Sequence, residues 1–130
     1  MHAELAAALA PILRDLRVGC AVPPDIRDGD GATAMIYGPD GTGQAVSVIP
    51  GAPAADQIVW LAEQVQEWAV EALWTAAHSA VWPECPAHPA THPLTPEVRN
   101  AAATWTCPRT GALVAVIGDG TVRARPAPPS

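Results

Sequence analysis

The stretch from Trp82 to Cys107 constrains the fold more than any other part of the chain. It reads Trp82-Pro83-Glu84-Cys85-Pro86-Ala87-His88, continues Pro89-Ala90-Thr91-His92-Pro93, and reaches Thr106-Cys107-Pro108 after a short gap. It gathers two of the three cysteines and two of the four histidines. Cysteine thiolate and histidine nitrogen are the usual protein donors to zinc, which prefers four of them in a tetrahedron. The Cys85-x-x-His88 spacing lets two side chains from one turn reach one ion, and Pro86 stiffens that turn. A metal shared with Cys107 would force distant residues to one point, so the C-terminal half is expected to fold around it.

The fourth donor is open in the sequence. His92 is the nearest candidate and completes a set of Cys85, His88, His92 and Cys107; His78 is the reserve. With neither, three protein ligands and a water would remain, which is the arrangement of a catalytic zinc. The competing reading makes His88 and His92 surface residues of a Pro-rich loop, and Cys85 and Cys107 buried thiols or a disulfide pair. Trp82 and Trp105 each lie close to a cysteine and are expected to form an apolar wall that limits water access to the metal.

Cys107-Pro108-Arg109-Thr110-Gly111 has the outline of a zinc knuckle, Cys-Pro-x-Cys-Gly, with Thr110 where the second cysteine would stand. Residues 82–118 thus resemble the paired knuckles of a zinc ribbon, with His88 replacing cysteine in one knuckle and Thr110 in the other. The resemblance implies a structural zinc. The Trp-Pro-x-Cys-Pro-x-His run and the later Trp-x-Cys-Pro-x-x-Gly are also similar to small proteins of actinobacteria, a likeness that implies no activity.

The rest of the chain supplies a scaffold. Leu5, Ala8, Leu9, Ile12, Leu13 and Leu16 recur at three- and four-residue steps, which predicts a helix over 3–17, with Arg14, Asp15 and Arg17 off the apolar stripe or at its edge. Pro11 is expected to kink that helix or to open a shorter one. Cys20 reads as a buried small hydrophobe, and Asp25 to Gly31 as a polar loop. Thr33 to Tyr37 and Ala45 to Ile49 form a hairpin about Pro39-Asp40-Gly41, where proline presets φ, aspartate bonds its own backbone and glycine accepts positive φ. The glycines there do not make a phosphate loop, because no Gly-Lys-Ser/Thr follows.

A long helix is expected from about Asp56 to about Val81. Ile58, Leu61, Ala62, Val65, Ala69, Ala72, Leu73 and Ala76 share one face, and Glu63, Gln64, Glu67, Glu71 and His78 the other. Trp60 and Trp74 also fall on that polar side. Either another part of the chain covers them, or Trp60, Glu67, Glu71 and Trp74 form a surface for a partner or for self-association. Ala103 to Cys107 and Leu113 to Ile117 read as a second hairpin. The expected fold is therefore α+β: one domain over 1–122 with an N-terminal helix, a β-hairpin, a long central helix and a zinc-ribbon-like C-terminal hairpin, followed by a Pro-rich flexible tail over 123–130.

Composition narrows the functions. The chain of 130 residues carries seven basic residues, all arginine, against 13 acidic ones, for a net charge of −6. Nucleic-acid binding needs clustered basic residues, and only Arg99, Arg109, Arg123 and Arg125 lie near the knuckles, so a nucleic-acid-binding ribbon is disfavoured. No run reaches the ~18 apolar residues of a membrane span, and the N-terminus lacks a basic signal region, so cytoplasm is the default. A reducing compartment favours metal binding over disulfides for an odd number of cysteines. The leading expectation is a non-enzymatic accessory or protein-interaction module with a structural zinc. A zinc hydrolase is the alternative; it would need an open metal position and a general base, for which Glu71 or Glu84 is the candidate.

Overall fold

The computed structural model describes residues 1–120, so the tail read over 123–130 lies outside the described residues. The fold is α+β, and its elements come in one order used twice: a helix, then a three-stranded antiparallel meander. Helix α1 spans Ala3–Gly19, and β1 (Asp25–Asp28), β2 (Thr33–Tyr37) and β3 (Gly43–Ser47) follow in spatial order β1-β2-β3. Helix α2 spans Ala54–Thr75, and β4 (Thr95–Arg99), β5 (Ala102–Thr106) and β6 (Leu113–Val116) follow in order β4-β5-β6. The helices pack on each other, and α2 also meets β3, β4 and β5.

Helix α1 buries Leu5, Ala8, Leu9, Ile12 and Leu16, as its period dictates. It runs through Pro11, whose missing N–H leaves one helical bond unmade. Gly118 packs on that proline: a Cβ at Gly118 would stand 2.5 Å from the Pro11 Cβ, and its φ of +96° also demands glycine. His2 caps the helix, its Nδ1 accepting from the Glu4 amide at 3.2 Å.

Four expectations need correction here. Asp25–Asp28 is a strand and not a loop, an exposed polar edge strand pairing Asp25 with Tyr37 and Asp28 with Ala34. The C-terminal hairpin is a three-stranded sheet, because Thr95–Arg99 joins it as an edge strand despite Pro96, the kind of strand where proline is tolerated. The turn between β4 and β5 is Asn100-Ala101, both at positive φ (51° and 62°), the backbone of a type I′ turn without the usual glycine. Helix α2 ends at Thr75 and not near Val81. Ala77 takes φ 59°, its N–H bonds Trp74 O at 3.1 Å, and His78 N–H bonds Leu73 O at 2.9 Å, which is a Schellman stop built on alanine. Cys20, expected to be buried, is half-buried at the end of α1, and burial pushes its thiol up.

Three glutamines on α2 tie it to its surroundings through backbone groups. Gln57, itself buried, donates to Ile49 O and to Glu4 Oε2. Gln64 bonds both the N–H (2.9 Å) and the C=O (2.8 Å) of Ser47, so its amide acts as a neighbouring strand for the free edge of β3. Gln66 serves the metal loop described below. No helix among the described residues is long and apolar enough to cross a membrane.

Candidate metal centre

Between α2 and β4 the chain has no regular element, yet it is tightly held. Glu84 and Pro93 form an isolated antiparallel bridge, and Leu94 N–H bonds Pro83 O at 2.8 Å, so the segment closes on itself. Gln66 donates its side-chain amide to both ends, Trp82 O at 3.2 Å and Leu94 O at 2.6 Å. Inside the closed loop two turns follow one another. His88 N–H bonds Cys85 O at 3.1 Å with Pro86 leading the turn, and Thr91 N–H bonds His88 O at 3.2 Å with Pro89 leading the next. Ala90 sits in the second turn at φ 56°, its N–H bonded to the Glu84 carboxylate at 2.5 Å.

The opposing wall is the β5–β6 connection. Cys107 N–H bonds Ala112 O at 2.9 Å, and Gly111 N–H bonds Cys107 O at 2.8 Å, with Gly111 at φ +75°. These bonds close a tight turn over residues 107–112. Thr110 stands where the resemblance to a knuckle would put a second cysteine. Its hydroxyl is instead the leading influence that holds the Cys107 thiol down to about 6, helped by the Thr110 and Arg109 amides and the Cys85 side chain and opposed by desolvation.

These two walls bring Cys85, His88, His92 and Cys107 together, with one donor atom of each within 4.8 Å of all the others. A tetrahedral zinc separates its donors by about 3.3 Å for two nitrogens, about 3.6 Å for nitrogen and sulfur and about 3.8 Å for two sulfurs, from its bond lengths. His88 Nδ1 lies 3.2 Å from His92 Nε2, 3.4 Å from Cys85 Sγ and 3.5 Å from Cys107 Sγ. Cys107 Sγ lies 4.0 Å from His92 Nε2. These four pairs stand at close to the spacing of a tetrahedral shell, and the remaining two lie within 4.8 Å. The second ring nitrogen of His92 lies 3.1 Å from Pro93 O, and a carbonyl only accepts, so Nδ1 carries the proton and Nε2 keeps its lone pair for a metal. Both cysteines are buried and both histidines half-buried.

His92 completes the group of four, whereas His78, the reserve, is exposed beyond the end of α2 and outside the cluster. Trp82 and Trp105 are buried and packed edge to face, centroids 5.5 Å apart and planes at 78°. The Trp82 indole N–H is buried and finds no acceptor among the described residues. The Trp105 indole N–H donates to Asp15, a residue the sequence reading set off the apolar stripe. Asp15 is fully buried: Oδ2 accepts from Trp105 Nε1 at 2.9 Å and Gly118 N at 2.7 Å, and Oδ1 from Gly120 N at 3.0 Å. Its place is legible after the fact, because Ala8, Ile12, Asp15 and Gly19 fall at successive four- and three-residue steps on the buried face.

The remaining candidates lie apart from the cluster. Glu84 is engaged with the Ala90 amide, and Glu71 is exposed on α2. Arg99 pairs with Glu97 at 3.5 Å, and Arg109 is exposed in the knuckle. Trp60 and Trp74 are uncovered, 48% and 72% exposed, which removes the reading in which another part of the described chain packs over them. Their neighbour Trp68, not assigned from the sequence, is buried instead. No protein-family model, curated protein or solved structure matches this chain.

Proposed function

We propose that the protein is a non-enzymatic interaction module whose C-terminal half is held by a structural zinc on Cys85, His88, His92 and Cys107. The observation that carries this is the spacing of the four donor atoms, 3.2 to 4.0 Å for the pairs at hydrogen-bond range. Two thiolates and two neutral imidazoles suit zinc in softness and geometry, and together they balance the charge of a divalent ion. Four protein donors favour a closed site over one with a water position, which speaks for a structural role and against the hydrolase. Glu84 is engaged with a backbone amide, and neither it nor Glu71 is among the clustered groups, which weakens that alternative's claim to a base.

The test is metal analysis of the purified chain, with Cys85→Ser and Cys107→Ser beside it. One zinc per chain, lost in both variants together with cooperative unfolding of the C-terminal half, is the expected result, since binding energy at such a site is folding energy. A chain that folds with full cooperativity after chelation, or that retains zinc in both variants, would refute the assignment.

A further inference from the structure

Helix α2 presents to solvent a face that the fold itself does not use. Trp60, Glu63, Glu67, Glu71 and Trp74 are all exposed and follow one another at three- and four-residue steps. The two tryptophans stand about 21 Å apart along the axis, with the three carboxylates between them at steps of about 6 Å. No ion pair among the described residues engages any of these glutamates. Beside them runs a shallow groove of about 590 Å³, where Val70 and Pro93 add apolar surface and Gln44 and Gln66 polar groups.

We infer that this face binds a basic segment of another protein, one carrying arginine or lysine at steps of about 6 Å, as successive turns of a helix supply. The inference rests on the reading of the chain as an interaction module. Charge complementarity selects the occupant. Three unpaired carboxylates in a row repel one another along the helix, and a cationic segment relieves that repulsion. The tryptophan faces at either end suit guanidinium stacking, and the Val70 and Pro93 surface suits the alkyl stems of long basic side chains. A second copy of this chain is a poor occupant, because two such faces would oppose six glutamates with no cation between them.

The probe is a synthetic peptide of about 16 residues with arginine at every fourth position, titrated into the full chain and followed by tryptophan emission and calorimetry. Glu63→Gln, Glu67→Gln and Glu71→Gln combined should weaken binding at least about tenfold, and raising salt from about 0.05 to 0.3 M should weaken it in the parent. Asp25→Asn, Asp28→Asn and Asp30→Asn combined, which remove the same net charge elsewhere, should change it less than about threefold. Trp60→Ser and Trp74→Ser should each weaken it several-fold while zinc content and far-UV circular dichroism stay as in the parent. Absence of binding by the parent chain, or equal loss in the two triple variants, overturns the inference. So does a concentration-dependent dimer abolished by Trp60→Ser, which would make the occupant a second copy, or binding that emerges only once residues 121–130 are removed, which would make it the chain's own tail. A chain that carries no zinc as purified, folds cooperatively and still binds the peptide through these residues would refute the zinc assignment and leave this surface standing.

Discussion

Replacing Asp15 by asparagine tests the tie between the two halves of the molecule. The carboxylate is fully buried and receives three N–H groups, from Trp105, Gly118 and Gly120, at 2.7 to 3.0 Å. Arg14 adds a fourth link, donating to Gly118 O at 2.7 Å. Asparagine keeps the shape but offers one acceptor oxygen. With that oxygen in the Oδ2 position it retains Trp105 and Gly118, and its amide then faces the Gly120 N–H donor to donor. The lost charge-assisted bond is worth about 1.5–3 kcal/mol. The two retained bonds weaken as their acceptor becomes neutral, and relief of the buried charge offsets part of the loss, leaving a net destabilisation of about 2–3 kcal/mol. Asp15→Ala removes every acceptor and should destabilise by about 3–5 kcal/mol, as when one partner of a buried charged network is deleted. Urea unfolding followed by tryptophan fluorescence reads both. At an m-value of about 1–3 kcal/mol/M the asparagine variant should lower the midpoint by about 1 M with unchanged m. A change under about 0.5 kcal/mol for asparagine, or asparagine more damaging than alanine, would show that the carboxylate does not carry the tie in the way its geometry indicates.

Two further perturbations follow from the backbone and from the metal loop. Ala77 and Ala101 hold left-handed conformations at φ 59° and 62°, so Ala77→Gly and Ala101→Gly should each stabilise. The gain should be about 0.5–1 kcal/mol per site, close to additive because the sites lie in different elements, and destabilisation by either glycine would refute the argument. Gln66→Leu removes the amide that bonds Trp82 O and Leu94 O at the two ends of the metal loop. Zinc affinity measured against a chelating dye should fall about tenfold, the scale of a lost outer support, whereas unchanged affinity would show that the loop closes without α2.

What could be read from the sequence follows the strength of the local signal. Both helices were legible because Leu5 to Leu16 and Leu61 to Leu73 keep a 3.6-residue period that only an amphipathic helix explains. The β2–β3 turn was legible because Pro39-Asp40-Gly41 dictates its own geometry: Gly41 N–H bonds Gly38 O at 3.0 Å, and the Asp40 carboxylate takes the Thr42 amide at 3.0 Å. Strands β1 and β4 were not, because edge strands bury one face at most. Asp25–Asp28 holds a single apolar residue, and Pro96 argues against any strand until its edge position is known. The four clustered Cys and His residues were legible as residue types with a spacing that suits a metal, while their outer supports were not. Gln66 acts through two bonds to backbone carbonyls of the loop and Thr110 through its hydroxyl at Cys107, and no periodicity marks a residue for either role.

The long connection between α2 and β4 needs a source of order that a metal on the cluster would supply, and it bears on the exposed helix face. The first half joins α1 to β1 through residues 20–24, whereas the second joins α2 to β4 through residues 76–94. Irregular segments of that length inside a compact domain are uncommon and need an external source of order. Part of that order is built into the chain: Pro83, Pro86, Pro89 and Pro93 restrict the unfolded loop and preset its turns. The rest must come from contacts, and apart from Trp82 and Leu94 the loop offers few large apolar side chains to bury. A metal bound by Cys85, His88 and His92 on one side and Cys107 on the other would fix the loop against the β5–β6 connection, and Gln66 would pass that constraint to α2. Gln66 lies one residue from Glu67, and the two preceding turns carry Glu63 and Trp60 toward solvent. A metal on the cluster would thus be linked through Gln66 and Pro93 to the groove beside the exposed face of α2, and its loss would release the loop that lines that groove at Pro93 before it disturbed the helix itself.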